Sequence, residues 1–261
     1  MSRIVVRLKH YNRVLATGLC FATFFLCGFA ISTTLFPVFY LWPGTRLQKS
    51  RRARQAIHYT FRWFVGQMEF FGLIKVRTHN AGLLKQAKGC LVIANHPTLI
   101  DVVILASLVP YPNCVVKGEL FRNKYLKRVV TLAGFISNDD ADMMINGAQQ
   151  AFEDQDALII FPEGSRSVPK QPLQFRRGAA NIAVRTRAPM LSVFITCNPI
   201  TLIKGEAWYQ VPPSKAVIDI YVREWLDPID MADGCEDPPA AARKLTKNLQ
   251  EYFEKGLQEY V

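Results

Sequence analysis

A chain of 261 residues with half of its residues hydrophobic is long enough to bury a core, and its 32 basic against 21 acidic side chains leave a formal charge of +11. The excess is not evenly spread: residues 1–68 hold ten Lys or Arg and no Asp or Glu, whereas the remainder is nearly balanced with 22 basic and 21 acidic residues. This asymmetry argues against a nucleic-acid-binding face distributed over a folded body and points to anionic lipid headgroups as the counter-charge.

Taken in order, the chain begins with basic residues including Arg7, Lys9 and Arg13, runs uncharged from Val14 to Trp42, and turns basic again at Arg46, Lys49, Arg51, Arg52 and Arg54. The uncharged run exceeds the roughly 20 residues that span a bilayer core. It is expected to be a membrane segment; it is too long for a signal peptide and lacks a small-residue cleavage site. Because positive charge flanks both ends, two topologies stand. One is a single tilted span, and the other is a hairpin that dips into one leaflet and returns at Gly28 or Pro37, with both flanks cytoplasmic. From Ser50 to Leu73, the residues Ala53, Ile57, Phe61, Phe64, Val65, Met68 and Phe71 recur at helical spacing, with Arg51, Arg54, His58 and Arg62 on other faces. Aromatics with arginines read as a helix lying in the membrane interface, the alternative being a core-packing helix.

Beyond Leu73, short apolar runs alternate with helical patterns. Strands are predicted at Ile74–Thr78, Cys90–Ala94, Cys114–Val116, Phe135–Ser137, Ala157–Phe161, Met190–Thr196 and Ala216–Arg223. Helices are predicted at Leu99–Ser107, Asn123–Ala133, Asp140–Glu153, Phe175–Arg187 and Ala240–Leu257. The fold class is therefore α/β, a central mixed and partly parallel sheet flanked by helices, with an N-terminal hydrophobic membrane helix or helical hairpin. Three parts are expected: a membrane-anchoring segment over 1–48, an amphipathic interfacial helix over 49–73 and an α/β domain over 74–261. Six cysteines, scattered without C-x-x-C pairs or zinc-like spacing, fit reduced thiols in a body that faces the cytoplasm.

The chemistry gathers where predicted strands end, the edge at which open α/β sheets place their sites. Asn95-His96-Pro97-Thr98-Leu99-Ile100-Asp101 follows an apolar strand and opens a helix. Pro97 pushes the His96 backbone toward an extended conformation and suits the first turn of a helix, so the imidazole projects from a corner. One turn on, Asp101 is placed to hold one ring nitrogen and leave the other free to take a proton. The same spacing is also a Thr98–Asp101 capping box that needs no catalysis. Three further segments fall at strand ends: Val116-Lys117-Gly118-Glu119-Leu120, Phe135-Ile136-Ser137-Asn138, and Phe161-Pro162-Glu163-Gly164-Ser165-Arg166-Ser167. The last puts an arginine on a loop, suited to bidentate phosphate binding.

In this order the segments, with Phe175-Arg176-Arg177-Gly178, resemble the successive motifs of the lysophospholipid acyltransferases, typified by the 1-acylglycerol-3-phosphate acyltransferases; the first is the family's H-x4-D motif. The resemblance covers roughly residues 55 to 225. It implies a membrane-bound enzyme of phospholipid biosynthesis on the cytoplasmic side, which moves an acyl group from acyl-CoA or acyl-carrier protein to the hydroxyl of a lysolipid acceptor. The partners implied are membrane lipids, the acyl donor and that acceptor, with no nucleic acid, no metal and no bound cofactor. His96 becomes the general base, Asp101 its orienting carboxylate, and Lys117, Asn138, Glu163, Gly164, Ser165 and Arg166 the substrate-binding set.

The chain departs from the family pattern at Lys124, where the family often has proline, at Ser192, which replaces a usual second proline after Pro189 in the last block, and above all in the second block. Asn138 stands where the family has an arginine, and Leu132 replaces a leading glycine. Glycerol-phosphate specificity is therefore open, with Arg122, Lys124, Lys127 and Arg128 the available compensating cations. The alternative function is a non-catalytic membrane lipid-binding protein on the same fold, which decay of the His-Asp or Pro-Glu-Gly block would signal; both are intact. A serine hydrolase is disfavoured, since no G-x-S-x-G elbow is present.

Overall fold

The computed structural model describes residues 3–260. Three helices come first: α1 (Arg3–Thr33), α2 (Leu35–Leu41) and α3 (Arg46–Phe70). The apolar run Arg7–Leu41 is long enough to cross a membrane, but it is interrupted at Thr34. Pro37, which lacks a backbone N–H, sits in the first turn of the second piece and cannot continue the ladder of the first. α3 starts on a capping box: Gln48 N–H donates to Thr45 Oγ1 at 3.2 Å and Thr45 N–H donates to Gln48 Oε1 at 3.0 Å.

The rest is an α/β layer in which β1 (Ile74–His79), β2 (Cys90–Ala94), β3 (Asn113–Val116), β4 (Ile136–Ser137), β5 (Ala157–Ile160), β6 (Met190–Asn198) and β7 (Ala216–Leu226) form one sheet, ordered β1-β7-β6-β2-β5-β3-β4. β6 and β7 pair antiparallel and every other neighbouring pair is parallel, so the sheet is mixed as expected. Helices α4 (Gly82–Gln86), α5 (Asp101–Leu108), α6 (Glu119–Arg122), α7 (Lys127–Ala133), α8 (Ala141–Glu153), α9 (Arg177–Thr186) and α10 (Pro238–Gln258) complete the chain. All seven predicted strands are present. α4 and α6 were not predicted, each being too short for a helical period to register.

β2 lies at the centre and is buried along its whole length. Its alternate side chains feed two cores. Val92 and Ala94 join Phe64, Ile104 and Leu105 on one face, and Leu91 and Ile93 join Leu158, Ala179 and Leu249 on the other. At about 1.5–3 kcal/mol for each large apolar side chain, these two layers are the main source of stability.

α3 shows which of its two readings the fold adopts for the apolar stripe. Ala53, Ile57, Phe64, Val65 and Met68 are buried against the α/β layer, so the stripe read as interfacial is a core face. The outer face carries Tyr59, Trp63 and Phe70, all exposed. Arg54, expected on a polar face, is instead 2% exposed and donates through Nη1 to Asp156 Oδ2 at 2.5 Å. α1 is docked rather than detached. Phe24 packs on Phe64 with ring centroids 4.5 Å apart, and Thr23 Oγ1 donates to Gln67 Oε1 at 2.9 Å. The Arg13 guanidinium donates to the carbonyls of Gly72, Leu73, Pro212 and Ser214. The opposite face of α1 leaves Leu15, Leu19, Phe25, Leu26 and Phe29 exposed.

Candidate functional site

Because β2, β3, β4 and β5 run in the same direction, their carboxyl ends share one edge of the sheet. That edge brings together Asn95-His96 after β2, Lys117 after β3, Asn138 after β4 and the Phe161–Ser167 loop after β5. Between them lies a cleft of about 440 Å³ lined by His96, Lys117, Asn138, Gly164, Ser165 and Arg166, among others. Six of the eight site residues expected from sequence therefore line one cavity. The other two, Asp101 and Glu163, lie directly behind His96.

Asn95 sets the corner. Its side chain accepts from Ile195 N–H at 2.7 Å and donates to Ile195 O at 2.8 Å, a side-chain substitute for one rung between β2 and β6. His96 then turns out of the sheet, its ring stacked on Phe161 with centroids 4.3 Å apart. His96 Nδ1 lies 2.9 Å from Asp101 Oδ2. Asp101 is completely buried and also accepts Thr98 N–H at 2.6 Å and Thr98 Oγ1–H at 2.5 Å. Burial pushes the Asp101 carboxyl above the ordinary carboxylate range, and the hydrogen bonds from His96 and Thr98 act the other way. Thr98 does not cap the helix as the capping-box reading expects: α5 starts at Asp101 after Ile100 with no side-chain cap, and Thr98 Oγ1 donates to Asp101, so the two Asp101 oxygens are taken by Thr98 and the imidazole together. With Nδ1–H donated to Asp101, Nε2 is the nitrogen left for a reacting proton.

Glu163 is 8% exposed and does not line the cleft. Its Oε1 accepts His96 N–H at 2.8 Å and Ser167 Oγ–H at 2.9 Å, while Ser167 N–H donates to His96 O at 2.7 Å. The second strand-end loop therefore holds the histidine's backbone from both sides. Burial pushes the Glu163 carboxyl above its ordinary range, against the pull of those same hydrogen bonds. Gly164 turns the loop at φ +66°, where a Cβ would meet Arg176 Cδ at 3.0 Å, so this position requires glycine.

The basic residues sort differently from expectation. Arg166 Nη1 donates to Leu202 O at 2.9 Å and Ile203 O at 2.7 Å, which ties the arginine to the loop between β6 and β7. Asn138 Oδ1 accepts Gly118 N–H at 3.3 Å and bridges the β3 and β4 ends. Arg122 pairs with Asp139 at 2.8 Å in solvent, and Lys127 and Arg128 line a different cavity, so these cations do not replace the missing arginine of the second block. Arg176 and Lys204 line the cleft instead. Sequence reading placed Arg176 in a motif without a role, and nothing near Lys204 in the chain signalled it. Three thiols are held away from reactivity: burial pushes Cys90, Cys114 and Cys197 up to about 12.

Comparison with known proteins gives what the chain is similar to. Residues 75–196 match the family model described as Acyltransferase. The 1-acyl-sn-glycerol-3-phosphate acyltransferase beta of Homo sapiens is 25% identical over 139 residues, which cover 50% of this chain and 50% of that protein. The 1-acyl-sn-glycerol-3-phosphate acyltransferase of Saccharomyces cerevisiae is 28% identical over 130 residues, 44% of this chain and 41% of the relative. The chain thus spans about half the length of the curated relatives it matches. The crystal structure of the 1-acyl-sn-glycerophosphate (LPA) acyltransferase PlsC from Thermotoga maritima shares the fold, with a TM-score of 0.70 at 18% identity over 98% of this chain and 97% of that one.

Proposed function

We propose that this chain, whose residues 75–196 match the Acyltransferase family model, is a membrane-bound O-acyltransferase that moves an acyl group from acyl-CoA or acyl-carrier protein to the hydroxyl of a lysophosphatidic-acid-like acceptor. The observation that carries the reading is the 2.9 Å contact between His96 Nδ1 and a fully buried Asp101 carboxylate, with the imidazole opening on a cleft lined by Lys117, Arg166, Arg176 and Lys204.

In this reading His96 Nε2 takes the acceptor's hydroxyl proton as its oxygen attacks the thioester carbonyl carbon. Asp101 holds the tautomer and supports the imidazolium that forms. The tetrahedral intermediate collapses with cleavage of the C–S bond, and the departing thiolate takes the proton back from His96. Glu163 positions the His96 backbone rather than touching substrate. The four cations, facing Glu119 as the one acidic side chain of the cleft lining, suit a phosphate-bearing acceptor or donor even though Asn138 supplies no charge. The segment over 1–48 acts as the anchor, α3 joins it to the α/β domain over 74–261, and the exposed apolar faces of α1 and α3 lie in the cytoplasmic leaflet.

The test is to give purified full-length protein mixed lysolipids with acyl-CoA or acyl-carrier protein and to identify the lipids consumed and produced by mass spectrometry. Transfer to a lysolipid hydroxyl, abolished in His96→Ala, is expected. No transfer with either donor, or full transfer by that variant, overturns the reading.

A further inference from the structure

A second cavity, of about 950 Å³, is larger than the cleft beside His96. It lies between α2, α3 and α7, and no residue lines both it and the cleft. Its volume is at the upper end of the roughly 300–1,000 Å³ typical of pockets for small organic ligands. The walls are apolar, built from Phe36, Pro37 and Leu41 of α2 and Leu132 of α7. The rim is basic, with Arg46, Lys49, Lys127 and Arg128, and no acidic side chain lines it. Among the described residues none of these four cations has a carboxylate within 4.0 Å; Lys49 Nζ is used in part, donating to Tyr40 O at 2.6 Å. The floor is fixed. Ser50 Oγ–H donates to Ala133 O at 2.7 Å, and Gly134 closes α7 at φ +69° directly against Ser50.

We propose that this cavity is a second lipid site, which holds one anionic glycerophospholipid of the bilayer with an acyl chain against α2 and its phosphate among Arg46, Lys127 and Arg128. Two features choose this occupant. α2 belongs to the apolar run long enough to enter a membrane, and Tyr40 and Leu41 of the cavity lining, with the adjacent Trp42, are exposed to that surrounding. An unpaired basic rim at the top of an apolar pocket is complementary to a lipid with a negative headgroup, and not to an apolar peptide or a neutral lipid. The site rests on the reading of residues 1–48 as a membrane anchor but not on acyl transfer, since none of its residues belongs to the cleft.

The experiment is native mass spectrometry of the full-length protein in detergent, with added phosphatidylglycerol or phosphatidylcholine of the same acyl chains. Phosphatidylglycerol adducts are expected to exceed phosphatidylcholine adducts. The double variant Lys127→Ala/Arg128→Ala is expected to weaken phosphatidylglycerol retention by about thirtyfold, the scale of removing two basic groups from an anionic headgroup. Thr131→Trp, on the cavity wall, fills the space and keeps every charge, and it should weaken retention to a similar degree. Equal retention of the two lipids overturns the proposal. So does full retention in Thr131→Trp, which would reduce the rim to diffuse surface attraction. Either variant is read against its own circular dichroism spectrum, so that loss of fold in one leaves the other to decide.

Discussion

The two cavities are built on opposite principles. In the cleft at the sheet edge, the decisive groups are polar and held by other polar groups: Asp101 is spoken for by His96 and Thr98, and Glu163 by His96 and Ser167. In the cavity between α2, α3 and α7, the walls are apolar and the rim cations have no carboxylate partner among the described residues. The difference separates a place that positions atoms from a place that holds a chain and a charge. The segment 117–134 serves both, with Lys117 and Glu119 at the cleft and Lys127 to Gly134 at the cavity. The run of cations that reads as one cluster in sequence, Arg122 to Arg128, gives Lys127 and Arg128 to the cavity and no member to the cleft.

The largest expected effect breaks the comparison at the cleft. His96→Ala should lower acyl transfer by about 10²–10⁴-fold, the usual contribution of a positioned general base, and Asp101→Asn should fall in the same range by allowing the wrong tautomer. Both proteins should retain lipid adducts at the second cavity like the parent, as read by kinetics and native mass spectrometry on the same preparations.

Next is the strut that fixes the helix shared by the cavity wall and the core. Arg54→Ala leaves the buried Asp156 without its partner and should cost about 3–5 kcal/mol in denaturant unfolding. A loss below 1 kcal/mol would mean that Arg51, whose Nε lies 4.0 Å from Asp156 Oδ1, takes over.

A smaller effect sharpens what the cleft recognises. Arg176→Ala should raise KM for a phosphate-bearing lysolipid roughly tenfold with kcat little changed, because a charge-assisted hydrogen bond to a non-reacting group contributes binding without chemistry. An unchanged KM would remove Arg176 from the acceptor site.

The smallest effect concerns pH. Burial raises the Glu163 carboxyl above its unfolded value, so the folded state holds that proton more tightly. The resulting stabilisation is full below the unfolded pKa, about 4.3, and is lost as pH rises through the raised folded value. Glu163→Gln keeps an acceptor for His96 N–H and Ser167 and removes the cost of a buried charge. Its thermal midpoint should match the parent in acid and equal or exceed it near neutrality. A midpoint that falls only near neutrality would show that the charge itself holds the loop.

Much of this was legible from the chain. The strands are short apolar runs buried on both faces, and such runs need no knowledge of their partners to be recognised, β2 being the clearest case. The His96–Asp101 pair was legible because its geometry is local: five residues across a strand-to-helix corner fix both side chains. The tertiary structure alone decided where the separated charges went. It buried Arg54 against Asp156, tied Arg166 to the carbonyls of residues 202 and 203, brought Arg176 and Lys204 to the cleft, sent Lys127 and Arg128 to another cavity, and laid the aromatic face of α1 on α3. The physical reason is the same in each case: periodicity along a chain tells which face is apolar, whereas the partner that a long, charged side chain meets is set by how elements distant in sequence pack.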